Sequence, residues 1–206
     1  MSIYEEKNTS RAQAQQMEGI DSPYDIVSQQ ISTQMDLSSS VVFLNNDIDE
    51  NTLVDLIIRI RAILTNRTID NINEPINLII NSNGGDVYEM LGIIDYIESL
   101  SVPVNTICRG RAFSAAAVIL ACGTGTRMAS KRSCVMFHEA ISFADGIKVS
   151  DMSAYINNLK SLENDVCELL ASKSNKNADW WRQQQKTDLF LSAQQLKEYG
   201  IIDQII

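Results

Sequence analysis

No stretch of this sequence approaches the ~18 consecutive apolar residues of a membrane span. The opening Met1-Ser2-Ile3-Tyr4-Glu5-Glu6 has neither the basic start nor the apolar run of a signal peptide. The chain therefore reads as soluble, unexported and cytoplasmic. Basic residues are scarce, with 17 Lys and Arg against 26 Asp and Glu and a formal charge of −9. That balance repels a phosphate backbone, which excludes nucleic acid as a partner. The four cysteines, Cys108, Cys122, Cys134 and Cys167, have no C-x-x-C spacing. Three of them fall in apolar runs, where a reduced thiol packs as a small hydrophobe, so a reducing compartment fits. A single histidine with no Cys, Asp or Glu at ligand spacing cannot build a metal site. The phosphate-loop pattern G-x-x-x-x-G-K-[ST] and the G-x-S-x-G elbow are both missing, and with them the nucleotide-binding and hydrolase classes they mark.

What is present is a polar start followed by an alternating pattern. Residues 1–23 are rich in Gln, Ser and Glu and too poor in apolar positions to pack, so they read as a tail, a propeptide or an axial loop. Residues 24–206 carry the domain. Val41-Val42-Phe43-Leu44 reads as a buried strand, and Leu53, Leu56, Ile57, Ile60 and Leu64 recur at helical spacing. Pro75 to Ile80 forms a second strand, with a glycine turn and a helix from Val87 to Leu100 after it. Val104 to Cys108 is a third strand, Ser114 to Ala121 a small-residue helix, and Cys134 to Phe137 a fourth strand. Such alternation predicts an α/β domain with parallel crossovers. Residues 151–172 predict a long amphipathic helix, and a shorter helix capped by Asp179 precedes the closing Ile201–Ile206 segment.

The one histidine, His138, stands at the carboxyl end of a strand, the edge where open α/β sheets present ligands. Neutral imidazole is the usual base that activates a serine near neutral pH, although a histidine satisfied by a backbone carbonyl would fit the same position. Ser114 follows a strand and opens a run of alanines, so its hydroxyl either faces the helix amino end or caps it. Asn81-Ser82-Asn83-Gly84-Gly85 is either a turn with positive-φ glycines or a stretch of bare N–H groups facing a substrate.

Taken together, these pieces resemble one family. Asn81-Ser82-x-Gly84-Gly85, Gly110-x-Ala112-x-Ser114, Val135-Met136-x-His138 and Asp188-x-Phe190-Leu191-Ser192-Ala193 with Tyr199-Gly200-Ile201-Ile202-Asp203 are similar, in order and spacing, to the motifs of the Clp protease proteolytic subunit. The resemblance runs from about Tyr24 to Ile206. It implies a ClpP/crotonase-like α/β fold of repeated β-β-α and β-α units with a protruding helix-strand handle.

For function it implies a serine endopeptidase with Ser114 as nucleophile, His138 as base and Asp188 as the acid that orients the imidazole. Gly85 and Ala115 match the backbone N–H groups of the oxyanion hole. Asp188 could otherwise be a turn or capping residue, and Asp145 and Asp179 lie outside the matching motif. The family also implies heptameric rings, stacked as a tetradecamer, and a separate AAA+ unfoldase as the only user of ATP. Its substrates are unfolded polypeptides, and the chain itself needs no cofactor and no metal. The apolar helices Val87–Leu100 and Met152–Leu170 point the same way, offering more hydrophobic surface than a monomer would cover. The alternative is a weak or structural ring subunit beside an active homologue.

Several positions depart from the family pattern. Ala115-Ala116 replaces Met-Gly, Glu139-Ala140 replaces Gln-Pro, and Thr187 stands where arginine makes ring contacts. Asn77 replaces a docking-groove aromatic, and 141–150 is poor in glycine.

Overall fold

A computed structural model describes residues 39–141 and 148–206. The tail expected at 1–23 and residues 142–147 of the segment 141–150 lie outside the described residues.

The polypeptide alternates strands and helices. β1 (Val41–Leu44) leads to α1 (Glu50–Thr65), β2 (Ile76–Ser82) to α2 (Val87–Ser99), and β3 (Val104–Phe113) to α3 (Ala115–Ala121). β4 (Arg127–Ala129) and β5 (Cys134–Phe137) precede a single 3-10 turn and the long α4 (Met152–Ser172). α5 (Ala178–Gln184), β6 (Leu189–Ser192), α6 (Ala193–Glu198) and β7 (Gln204–Ile205) complete the chain. The sheet runs β1-β2-β3-β4-β7 with all pairs parallel, while β5 branches from β3 and carries β6.

β3 is the pivot of this arrangement. Its first half pairs with β4, Thr106 to Cys108 against Arg127 to Ala129, and its second half with β5, Arg111 to Phe113 against Cys134 to Met136. The sequence reading ends this strand at Cys108, but the ladder continues to Phe113. An irregularity makes this possible: β2 advances from Ile80 to Ser82 while β3 advances from Cys108 to Ala112. Gly110 takes φ 99 there, and a Cβ on it would come 2.6 Å from the Asn81 side-chain oxygen. β3 thus bends and changes neighbours just before Ser114.

Helix starts follow local chemistry. Asp49 accepts from the Thr52 N–H at 2.8 Å, and Asp86 accepts from Tyr88 and Glu89 at 2.7 and 3.2 Å. α1 buries Leu56, Ile60 and Ile63, and α2 buries Met90, Ile93, Ile94 and Ile97. Each such side chain contributes roughly 1.5–3 kcal/mol. The monomer therefore covers the α2 stripe by itself, contrary to the expectation that this helix leaves apolar surface open. α3 is too short to persist in water, and it exists because every one of its residues is buried. Its alanines let the helix lie close on the sheet, where Thr106 Oγ1 donates to the Leu120 carbonyl at 2.7 Å.

α4 buries only Cys167 and Leu170 in the core, and much of its apolar stripe faces a cleft instead. The helix expected to be capped by Asp179 is α5, and its cap is Asn177, which accepts from the Trp180 N–H at 2.8 Å. Asp179 lies in the first turn and pairs with Arg182 at 2.6 Å. No helix among the described residues is long and apolar enough to cross a membrane.

Candidate active site

Three backbone junctions meet at the carboxyl ends of β2, β3 and β5. At the first, Ser82 is buried and donates to the Asn46 carbonyl at 2.6 Å while accepting from the Gly84 N–H at 3.1 Å. Ile48 N–H donates to the Gly84 carbonyl and Asp86 N–H to the Ile48 carbonyl, both at 2.8 Å. The Gly85 N–H, lying between these two bonds, has no hydrogen-bond partner among the described residues. Gly84 and Gly85 have φ 95 and 154, as the turn reading expects.

At the second junction Ser114 takes φ 54 and ψ −125, outside the regions ordinarily open to a side chain. Its N–H donates to the Met136 carbonyl at 2.8 Å, and its carbonyl accepts from Ala117 at 2.9 Å, which starts α3. The hydroxyl makes no capping bond. The helix-cap account of Ser114 therefore does not hold, because the side chain is turned away from the job a cap performs. As the first helical residue, Ala115 keeps an N–H with no intrahelical partner.

The third junction is the end of β5. Phe137 is buried against Trp181 with ring centroids 4.9 Å apart, and Trp181 is fixed in turn by its indole N–H on Ser174 Oγ at 3.1 Å. That packing anchors His138, the next residue, which is half-buried. Glu139 is exposed, and its N–H donates to the Gln185 carbonyl at 3.0 Å.

Ser114, His138, Gly85 and Ala115 all line one cleft of about 340 Å³. Asp188 does not line it and is exposed. Its position follows from strand pairing: β5 and β6 run antiparallel with Phe137 opposite Leu189, so the same register carried one residue further sets His138 opposite Asp188. Among the described residues no hydrogen bond joins Ser114 Oγ to His138, or His138 to Asp188. Asp179, by contrast, is committed to Arg182.

Much of the remaining cleft wall comes from α2 and α4, with Tyr88, Tyr155, Leu159, Leu162, Glu163 and Val166. Sequence reading missed Glu163 as a cleft residue. The signal was there, since Glu163 lies four residues after Leu159 and three before Val166 and so interrupts an apolar stripe with a charge.

The thiols are removed from this chemistry. Burial pushes Cys108 up to about 11 and Cys122 up to about 12, and it also raises Cys167. Among the described residues no group of three or more His, Cys, Asp or Glu side chains gathers in the manner of metal ligands.

Parallel strands that end in a cleft holding an uncapped serine and a histidine define an α/β protein whose ligand site lies at the strand carboxyl ends. Comparison with known proteins gives the family. The Clp protease family matches residues 25–206. The ATP-dependent Clp protease proteolytic subunit of Bacteroides thetaiotaomicron is 33% identical over 191 residues, covering 89% of this chain and 84% of the relative. That of Carsonella ruddii is 34% identical over 171 residues, 82% of this chain and 85% of the relative. Proteolytic subunit 2 of Streptomyces coelicolor is 33% identical over 167 residues, 81% and 75% of the two chains. The chain belongs to the Clp protease proteolytic-subunit family, a family of serine peptidases.

Proposed function

We propose that the chain is a serine endopeptidase in which Ser114 is the nucleophile, His138 the general base and Asp188 the residue that orients the imidazole. The observation that carries this reading is the seat of Ser114: a left-handed backbone conformation that costs free energy, with the hydroxyl uncapped, in the cleft it shares with His138. Ser114 Oγ attacks the peptide carbonyl as His138 takes its proton, and His138 then returns that proton to the departing amine. The Gly85 and Ala115 N–H groups receive the developing oxyanion. Water repeats the sequence on the acyl-enzyme and releases the second product. No step calls for a metal or a cofactor in this chain.

Enclosure is part of the same reading. Relatives are named as proteolytic subunits of ATP-dependent proteases. Val54 and Ile58 on α1, Ile156 on α4 and Phe190 on β6 are all exposed apolar side chains that subunit contacts would cover. The chain assembles into heptameric rings stacked as a tetradecamer, and an AAA+ unfoldase supplies folded substrates. Four free thiols, three of them buried, suit a reducing, cytoplasmic setting.

A fluorophosphonate probe tests the chemistry. Labelling is expected on Ser114, and it should disappear in Ser114→Ala and fall by orders of magnitude in His138→Ala and Asp188→Asn. Labelling retained in Ser114→Ala would end this assignment. Sedimentation with paired peptide and folded-protein assays tests the enclosure, which an active monomer would contradict.

A second reading, that of a weak or structural ring subunit, draws support from the exposed Asp188 and its lack of a bond to His138. A chain that labels only when mixed with an active homologue would favour it.

A further inference from the structure

One face of the sheet is covered and the other is open. Leu44, Ile80, Cys108 and Ala112 point into the core, while residues that alternate with them, Phe43, Arg109 and Arg111, are exposed on the opposite face. Lys131 and Arg132, also exposed, stand on the turn between β4 and β5. That turn is fastened beside Arg109, because the Cys108 carbonyl accepts from the Ser130 N–H and from the Ser133 hydroxyl, each at 2.9 Å. None of these four cations has an ion pair among the described residues. They gather in a chain whose formal charge is −9.

An acidic counterpart lies at the other margin of the sheet, where edge strand β1 leads into α1. Asp49 caps α1 and Asp55 pairs with Arg59, but the exposed carboxylates of Asp47 and Glu50 have no partner among the described residues. Glu50, Val54 and Ile58 recur at four-residue intervals and share one face of α1, with Val54 54% and Ile58 60% exposed.

We propose that, in the assembly, the outer face of α1 on one copy docks against the open sheet face of the next, with Asp47 and Glu50 meeting the cluster of Arg109, Arg111, Lys131 and Arg132. The inference rests on the ring reading above and names the two surfaces that make its contact. Their levels agree. Ser82 stands opposite Ala112 and donates to the Asn46 carbonyl at 2.6 Å, so Asp47 leaves β1 at the height of Arg111. α1 joins two parallel strands and therefore runs back against them. From Glu50 to Ile58 the helix descends ~12 Å, and from Arg111 to Ile107 strand β3 descends ~13 Å. With the acids on the arginines, Val54 and Ile58 come level with Ile107 and Met128, which pair in register on the open face.

The two surfaces differ, so the contact is head to tail, and repeated by rotation it closes a ring. Because they stand at one height along the strands, the repeat adds no climb in that direction. Copies of a strongly acidic chain repel one another, and opposite charge at the contact offsets that repulsion and fixes its register.

The test is sedimentation velocity of the full-length protein at ~0.1 M and ~1 M salt, between which the screening length falls from about 10 to about 3 Å. The concentration at half-assembly is expected to rise at least about tenfold in the higher salt. Arg109→Glu with Arg111→Glu, and separately Asp47→Lys with Glu50→Lys, should raise it at least as far at low salt. Combining all four substitutions in one chain should bring it back to within about threefold of wild type. Thermal melts separate dispersed subunits from unfolded ones, and Arg109→Gln with Arg111→Gln carries the test beside the salt series where a reversal does not fold. Assembly unmoved by salt and by both reversals, or a folded fourfold exchange that stays dispersed, would overturn the proposal. Fluorophosphonate labelling of the same samples separates the two levels. A ring that ignores these charges removes this interface alone, whereas a wild-type monomer that labels on Ser114 removes the ring reading and this inference together.

Discussion

Gly84 and Ser114 approach so closely that a Cβ on Gly84 would stand 2.8 Å from the Ser114 Cβ and 2.5 Å from the Phe113 carbonyl oxygen. The glycine loop and the serine junction are therefore one packed unit, and each fixes the other's position.

Gly84→Ala should damage the site more than the core. Added strain at φ 95 and displacement of the Phe113–Ser114 backbone are expected to cost about 2 kcal/mol. Probe labelling of Ser114 should slow at least about tenfold, since small misplacements of reacting groups cost large factors in rate. Thermal denaturation beside labelling kinetics checks both, and a variant that labels at the wild-type rate would contradict the coupling.

The backbone of Ser114 should be a measurable store of strain. Ser114→Ala keeps φ 54 on a residue with a Cβ, whereas Ser114→Gly relieves it at the cost of a more flexible unfolded chain. Ser114→Gly is expected to be the more stable of the two by roughly 1 kcal/mol, with both variants inactive. Urea denaturation of the pair decides the matter, and equal midpoints would show that the conformation is unstrained.

At the other end of the sheet, Arg127 binds Asp203 through two guanidinium nitrogens at 2.7 and 3.2 Å and through its backbone N–H at 2.8 Å. The side-chain bond to Arg127 is the main reason the Asp203 carboxyl lies below its ordinary value. A carboxyl depressed on folding contributes stability that is fully present above the unfolded pKa, about 3.9, and is lost as pH falls through the lower folded value. Because the Asp203 side chain is 41% exposed, screening limits the effect to about 1 kcal/mol. Asp203→Asn should thus be less stable than wild type at pH 7 and close to it near pH 2. Thermal melts at the two pH values test this, and a gap that persists in acid would assign the loss to packing.

Thiol accessibility gives an independent check of the core. Cys108 and Cys122, raised by burial to about 11 and about 12, and buried Cys167 should resist iodoacetamide at pH 8 in the folded protein. Half-buried Cys134 should react first, and all four should react in denaturant. Mass spectrometry over time reads the count, and fast labelling of Cys122 would mean that α3 is not packed as described.

The sequence by itself determined the repeating units and the motifs. Apolar spacing from Val41 to Ala121 made the first three strands and helices legible, since strands and helices that bury one continuous face must write that period into the chain. Ser114, His138 and the glycine pair were legible as a constellation only because several motifs occur in register.

Tertiary structure decided the rest. β4 and β7 have three and two residues, too few to carry a period, and they are strands only because neighbours lend them hydrogen bonds. The extension of β3 through Arg109-Gly110-Arg111 depends on a change of partner from β4 to β5, which no local composition encodes. Asn177 took the α5 cap because the turn after α4 fixed where the helix begins, leaving Asp179 free to pair with Arg182. Asp188 comes opposite His138 through the antiparallel register of β5 and β6, and Glu163 faces the cleft through the docking of α4. Both depend on contacts between residues far apart in the chain, and spacing along a sequence holds no record of those distances.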